Sequence, residues 1–332
     1  MNILVTGGGG FLGSHLARRL LEMGHHVTVL GRRRYPSLPE NIIQLQADLR
    51  EPKAVSEACR EQDSVFHAGA LPGIWGTKKD FYQTNVEGTR HVIQGCLKHG
   101  VRKLVFTSSP SVIYNQTDME NVDESAPYPS HYLSDYPKTK ALAEQEIMTA
   151  NGQQGLMTVS LRPHLIWGPG DPHLVPRIIE RARKRQLIRV GEGTNKVDII
   201  YIDNAVEGHI RAWQALEPGS SVAGRCYFLS DGEPVVLWDW INQLLSALGI
   251  DPVMKSISYG MAKNLGWILE GVYRILGLGG EPRMTRFLAG QLATSHYFDI
   301  SRARRDFNYE VKVPPEEGMK RLLKSLEVPL EG

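Results

Sequence analysis

Nowhere in the 332 residues do about eighteen uncharged apolar residues run together, so no membrane-spanning helix is expected. Charge of one sign is not in excess. The 38 Lys and Arg outnumber the 36 Asp and Glu by 38 − 36 = 2, which leaves no electrostatic footprint for nucleic acid. Cysteine is scarce. Cys59, Cys96 and Cys226 form neither a CxxC pair nor a disulfide framework, which suits a reducing cytoplasm, and no metal site is expected. The opening apolar stretch is short, starts without positive charge and runs into glycines, so a signal peptide is not expected either. Internal repeats and low-complexity tracts are missing. What remains is an ordinary globular composition, 42% hydrophobic and 22% charged, with length for two domains.

The first 165 residues alternate between two hydrophobic periods. Strand patterns occur at 3–5, 26–30, 41–46, 63–68, 103–108 and 157–163, with helical patterns at 11–23, 51–60, 80–99 and 136–150 between them. Strict alternation predicts an α/β fold, a Rossmann doubly wound parallel sheet with helices on both faces. A dinucleotide-binding domain over 1–170 is expected. A smaller, mostly helical substrate-binding region over 171–332 follows, with a strand or helix near 196–230 returning to the first domain.

Gly7 to Gly10 and Gly13 sit at the turn from first strand to first helix, beside Phe11 and Leu12. Both Gly8-x-Gly10-x-x-Gly13 and Gly7-x-x-Gly10-x-x-Gly13 fit a dinucleotide fingerprint. Glycine there permits a tight turn and close approach of a pyrophosphate to the helix N-terminus. A chain that binds NAD should carry an acid after the second strand. This one has Gly31-Arg32-Arg33-Arg34 instead. A carboxylate would repel a 2′-phosphate and a guanidinium pairs with it, so Arg32 and Arg33 point to NADPH.

Tyr136 and Lys140 lie four apart at the start of a helix, which Ser134 or Asp135 can cap. An ammonium beside a phenol favours the phenolate, so the lysine should lower the tyrosine pKa toward the working range of a proton donor. The strand "KLVFTS" delivers Ser108 and Ser109 to the carboxyl edge of the sheet, where ligands of such folds bind.

The glycine turn, Asp48-Leu49, "HAGA" (67–70), "TNVEGT" (84–89), "TSS" (107–109), Tyr136-Pro-Lys-Thr-Lys140 and "LRPHLIWGPGD" (161–171) occur in the order found in the extended short-chain dehydrogenases/reductases. The chain resembles that family along nearly its whole length. Within it the nearest likeness is the 3β-hydroxysteroid dehydrogenase-like branch, and there the ketoreductases of bacterial long-chain olefin biosynthesis. "TSSPSVIYN" (107–115), "YLSDYPKTKALAE" (132–144), "YIDNAVEGH" (201–209) and "EPRMTRFLAGQLATSHYFDIS" (281–301) carry that likeness, and Leu71-Pro72 departs from it. The resemblance implies a Ser109–Tyr136–Lys140 triad, with Lys140 also on the nicotinamide ribose. It implies Asp48 and Leu49 near the adenine, Ala68, Gly69 and Ala70 beside the cofactor, Pro163 near the nicotinamide, and Asn85 supporting a proton relay. It also implies a homodimer through the helices near 80–99 and 136–150, helped by Ala141 and Ala143. Assembly with the thiolase-like, β-lactone-forming and decarboxylating enzymes of the same pathway is implied too.

For the substrate, Ile74 and Trp75 in "LPGIWG" and His164 and Trp167 after Pro163 are candidates at the cofactor edge. Residues 109–135, a long linker with little regular pattern, read as a lid. "ISYGMAKNLGWILEGVYRILGLGG" (257–280) reads as an amphipathic helix. Leu265 and Ile268 are on its apolar face, offering a wall for a long hydrocarbon. These residues together predict an NADPH-dependent ketoreductase acting on long-chain 2-alkyl-3-keto acids. The alternatives are a 3β-hydroxysteroid or sterol dehydrogenase, a nucleotide-sugar epimerase or dehydratase, and a non-enzymatic NADP sensor.

Overall fold

The computed structural model describes residues 1–327. Its centre is a seven-stranded sheet: β1 Asn2–Thr6, β2 His26–Gly31, β3 Ile43–Gln46, β4 Ser64–His67, β5 Lys103–Thr107, β6 Met157–Pro163 and β7 Arg225–Leu229. The strand order is β7-β6-β5-β4-β1-β2-β3, and every pairing in it is parallel. The order reverses between β1 and β4, and ligands of such sheets bind outside the strand ends at that switch point.

Why these strands are apolar nearly throughout follows from the two faces they must bury. Ile3, Val5, Val27, Val29, Phe66 and Val105 point to one core, shared with helix α1 (Phe11–Glu22) through Leu12, Leu16 and Leu20. Leu4, Leu30, Val65, Leu104 and Phe106 point to the other. There they meet α2 (Pro52–Ala58), α3 (Gly88–His99) and α4 (Asp135–Ala150) through Val55, Val92, Cys96 and Ile147. Helix α5 (Ile202–Ala215) packs beside α1 and leads toward β7, which pairs with β6 from Arg225 to Leu229. Cys59 and Cys96 are buried free thiols in the second core.

Three expectations are corrected here. The helical pattern at 80–99 is divided: a turn at Lys78–Phe81 runs through a π-helical stretch, Tyr82–Glu87, into α3. Residues 109–135 are not a loose lid. Pro110–Ile113 forms a 3₁₀ turn, Met119–Val122 pairs with His296–Phe298, and Tyr132 donates to the Val112 carbonyl at 2.8 Å. Ala141 and Ala143 are buried inside the chain, where α4 meets the sheet, and offer no small-residue surface to a second copy.

Toward the C-terminal end, α6 (Tyr259–Ile275) and α7 (Arg286–Ala293) pack on each other around Ala262 and Ala289. The buried side of α6 is small: an added Cβ at Gly266 would lie 2.6 Å from the Arg286 nitrogen. Among the described residues no helix is long and apolar enough to cross a membrane.

Candidate active site

The turn after β1 is shaped for a backbone to approach a phosphate. Gly7 has φ +69°, and a Cβ there would lie 2.6 Å from the Gly69 Cα; one at Gly13 would lie 2.2 Å from the Gly7 oxygen. Gly10 opens α1 with extended backbone and no side-chain cap. The first N–H groups of α1 are therefore left to an anion, at the positive end of the helix dipole. Phe11 and Leu12 begin that helix, Leu12 buried and Phe11 half-buried. Ala68, Gly69 and Ala70 follow β4 across the switch point, and the Gly69 N–H donates to the Thr6 hydroxyl at 3.2 Å. Leu49 packs close to both Gly69 and Gly88. These features fit the diphosphate of a nicotinamide dinucleotide.

Past β2, the side chains of Arg32, Arg33 and Arg34 are exposed, with the Arg33 guanidinium 5.5 Å over the Tyr35 ring. Asp48 is engaged by its own neighbour. Arg50 donates to both carboxylate oxygens, at 3.0 and 2.8 Å, and holds the Asp48 pKa below the usual carboxylate range.

The candidate proton-transfer group gathers where β5 ends and α4 begins. Ser109 follows β5 and caps the 3₁₀ turn, its hydroxyl 2.9 Å from that of Ser111. Its hydroxyl lies on the side of the Tyr136 phenol, whereas Ser108 is buried on the side of Glu144. Lys140 is buried. Its ammonium donates to the Thr107 carbonyl at 2.6 Å and lies 4.0 Å from the Phe106 ring centre. Burial lowers its pKa to about 7, with the Glu144 carboxylate working in the opposite direction. The Tyr136 pKa is raised above 10 by burial, and the Ser109 hydroxyl only opposes this. The expected lowering of Tyr136 by Lys140 is therefore not what this structure shows: loss of hydration dominates.

Asn85 sits in the π-helical stretch, a form that recurs at functional sites. Its amide accepts from the Leu71 N–H at 2.7 Å, donates to the Leu71 carbonyl at 3.2 Å, and donates to Thr139 of α4 at 3.1 Å. It thus ties the loop carrying Ile74 and Trp75 to the helix carrying Tyr136 and Lys140. Ser134 occupies the N-cap position of α4, but its hydroxyl donates to the Ile74 carbonyl at 3.1 Å rather than capping the helix.

A cleft of about 280 Å³ lies beside this group. Ile74 and Trp75 line it, with Phe81 touching the Tyr136 ring edge and Arg274, Glu270 and Arg286 on the far wall. The other substrate candidates do not line it. Trp167 is fully buried between Tyr201 and Trp240. His164 is buried and paired with His296 at 2.6 Å, and burial drives its pKa well below 6.5. Leu265 and Ile268 face solvent, 43% and 53% exposed, because the small face of α6 takes the packed side against α7. Glu270 is on the packed side too, buried and ion-paired with Arg286. Pro163 ends β6, buried opposite Leu229.

The profile of the 3-beta hydroxysteroid dehydrogenase/isomerase family matches residues 4–258. The chain belongs to this family. It is a 3β-hydroxysteroid dehydrogenase-like extended short-chain dehydrogenase/reductase and an NAD(P)-dependent oxidoreductase. It is 48% identical over 325 residues to a 2-alkyl-3-oxoalkanoate reductase of Stenotrophomonas maltophilia, covering 97% of this chain and 98% of that one. A 2-alkyl-3-oxoalkanoate reductase of Shewanella oneidensis is 43% identical over 97% of this chain and 85% of its own. A mouse sterol-4-alpha-carboxylate 3-dehydrogenase, decarboxylating, is 31% identical over 97% and 90%. Among solved structures, gox2253 superposes with a TM-score of 0.78 at 25% identity over 98% of this chain and 97% of its own. MoeE5 in complex with UDP-glucose and NAD gives 0.76 at 22% over 98% of each.

For a dehydrogenase of this family, the least legible part of the site is what lies under the lysine. Glu144, one turn after Lys140, is fully buried and pairs with Arg162 from β6. It also accepts from Ser160 and Tyr128, each at 2.7 Å. Its position four residues after Lys140 was a signal that a carboxylate shares the lysine's helix face. A second buried chain runs Thr6–His67–Thr89, at 2.6 and 3.0 Å, and ends on the Asn85 carbonyl. "HAGA" carried His67 without announcing it.

Proposed function

We propose that the chain is an NADPH-dependent ketoreductase that converts long-chain 2-alkyl-3-oxoalkanoates to 2-alkyl-3-hydroxyalkanoates, a step of bacterial olefin biosynthesis. The observation that carries this is the 48% identity to a 2-alkyl-3-oxoalkanoate reductase across nearly the full length of both chains. The dinucleotide, when bound, supplies a hydride to the 3-keto carbon. Tyr136 gives its hydroxyl proton to the keto oxygen, so the carbonyl gains one hydride and one proton and becomes an alcohol. Ser109 donates to the same oxygen and holds it in reach. Lys140, held by the Thr107 carbonyl one turn after Tyr136, takes the nicotinamide ribose. Arg32 and Arg33 grip the 2′-phosphate, and the bare N-terminus of α1 holds the diphosphate. Asn85 keeps the Ile74–Trp75 loop in register with α4. We place the enzyme in the cytoplasm, as a homodimer.

A second reading, oxidation of a 3β-hydroxysteroid or sterol, is favoured by the matched family profile and by the sterol dehydrogenases among the relatives. The triad serves both directions. A substrate panel of 2-alkyl-3-keto acids, 3-ketosteroids and 3β-hydroxysteroids, with NADPH or NADP, separates them. Steroid turnover exceeding that of the keto acids would reverse the assignment.

A further inference from the structure

Among the described residues nothing covers the apolar face of α6. Met261, Leu265, Ile268, Val272, Ile275 and Leu276 are 63%, 43%, 53%, 39%, 85% and 65% exposed. They recur at helical spacing and form one stripe roughly 22 Å long, at about 1.5 Å per residue. The stripe cannot be turned inward. The opposite side, Ala262, Gly266 and Glu270, is fixed against α7 by the backbone contact at Gly266 and the ion pair to Arg286. Trp267, 64% exposed, stands beside it.

The segment that carries α6 and the one joined to it are both positive. Residues 254–286 hold Lys255, Lys263, Arg274, Arg283 and Arg286 against Glu270 and Glu281, or 5 − 2 = +3. Residues 174–186, most of them the helix Leu174–Arg183, hold Arg177, Arg181, Arg183, Lys184 and Arg185 against Glu180, or 5 − 1 = +4. The Arg177–Glu281 ion pair joins the two segments. Together they carry +7 in a chain whose total is +2, so the remainder is 2 − 7 = −5.

An exposed apolar stripe carried on a basic segment needs a partner that offers hydrocarbon and negative charge together. A second copy docked on the same face would set the positive segments against each other, and a polyanion alone would leave the stripe wet. We propose that α6 docks on an anionic lipid surface, lying in its plane with the stripe among the acyl chains and the basic segments at the headgroups. The attachment is peripheral. The cleft wall formed by Glu270 and Arg274 is then on the side of the same helix turned away from the lipid.

The test is flotation of the full chain with vesicles of three parts phosphatidylglycerol to seven of phosphatidylcholine, and with phosphatidylcholine alone. We expect retention on the anionic vesicles at least fivefold above the neutral ones, falling when salt rises to about 0.5 M, where charges are screened within a few ångströms. The I268E/I275E double variant should lose at least tenfold of that retention with an unchanged melting temperature and circular dichroism spectrum. Ile275→Glu alone should move retention the same way. Absence of retention, equal retention on both compositions, or undiminished retention of the double variant would overturn the proposal. So would a solution dimer that the double variant splits while neither vesicle holds the protein, since that assigns the stripe to a second copy.

Discussion

The Lys140 ammonium donates to the carbonyl oxygen of Thr107 at 2.6 Å. The last carbonyl of β5 thereby fixes the cation at the strand end that also presents Ser109, while α4 brings Tyr136 to the same place one turn earlier. The position of the lysine is set by main chain, and its charge is opposed by burial.

That opposition makes stability depend on pH. Lys140 has a pKa of about 7 in the fold and 10.5 as an ordinary lysine. Between these values the unfolded chain holds the extra proton, so stability rises with pH across the window. Below about pH 7 both states are charged and the folded chain bears the full cost. The stability of the native chain relative to Lys140→Met should therefore increase between pH 7 and 10, as read by urea titration at each pH. A flat difference would contradict the burial argument.

Tyr136→Phe keeps the ring against Phe81 and removes the hydroxyl proposed as proton donor. Turnover should fall by roughly two to four orders of magnitude, the range of general acid catalysis, with dinucleotide affinity retained in calorimetry. Near-normal turnover would remove Tyr136 from its role.

Glu144 and Arg162 should be costly to separate. Glu144→Gln leaves a buried guanidinium short of its countercharge and should destabilise by about 3–5 kcal/mol. The double change E144Q/R162M should recover much of that loss in thermal unfolding, because no buried charge is then left alone. A double variant as unstable as the sum of the singles would mean that the pair is not acting as a pair.

On the proposed reading, cofactor choice rests on Arg32 and Arg33. Replacing both with serine should weaken NADPH binding by roughly 1.5–3 kcal/mol, the scale of hydrogen bonds to charged groups, and leave NADH nearly unchanged. Equal catalytic efficiency with both cofactors in the native enzyme would refute the argument from the missing acid.

Much of the fold was legible because period and turn chemistry report local causes. The first six strands of the sheet stand within two residues of their predicted ends: five are buried and apolar nearly throughout, and the exposed edge strand β3, IQLQ, shows its alternation instead. Gly7 and Gly13 announced a backbone approach that only glycine allows. What was not legible depends on which of two faces wins. The pattern of α6 is amphipathic, but periodicity does not say that small residues would take the packed side and send Leu265 and Ile268 outward. Trp167 and His164 sit next to the cofactor edge in sequence and were taken into the core by Trp240 and His296, more than seventy residues away. The Glu144–Arg162 pair was hidden at a shorter range, because neither period pairs a residue of helix α4 with one of strand β6.

The most direct measurement is kcat/KM with NADPH for 2-alkyl-3-keto acids of increasing arm length. Each buried methylene contributes about 0.8 kcal/mol, roughly fourfold, so efficiency should climb steeply until the binding surface is filled. Short 3-keto acids or 3-ketosteroids reacting as well as long branched ones would contradict the proposed substrate.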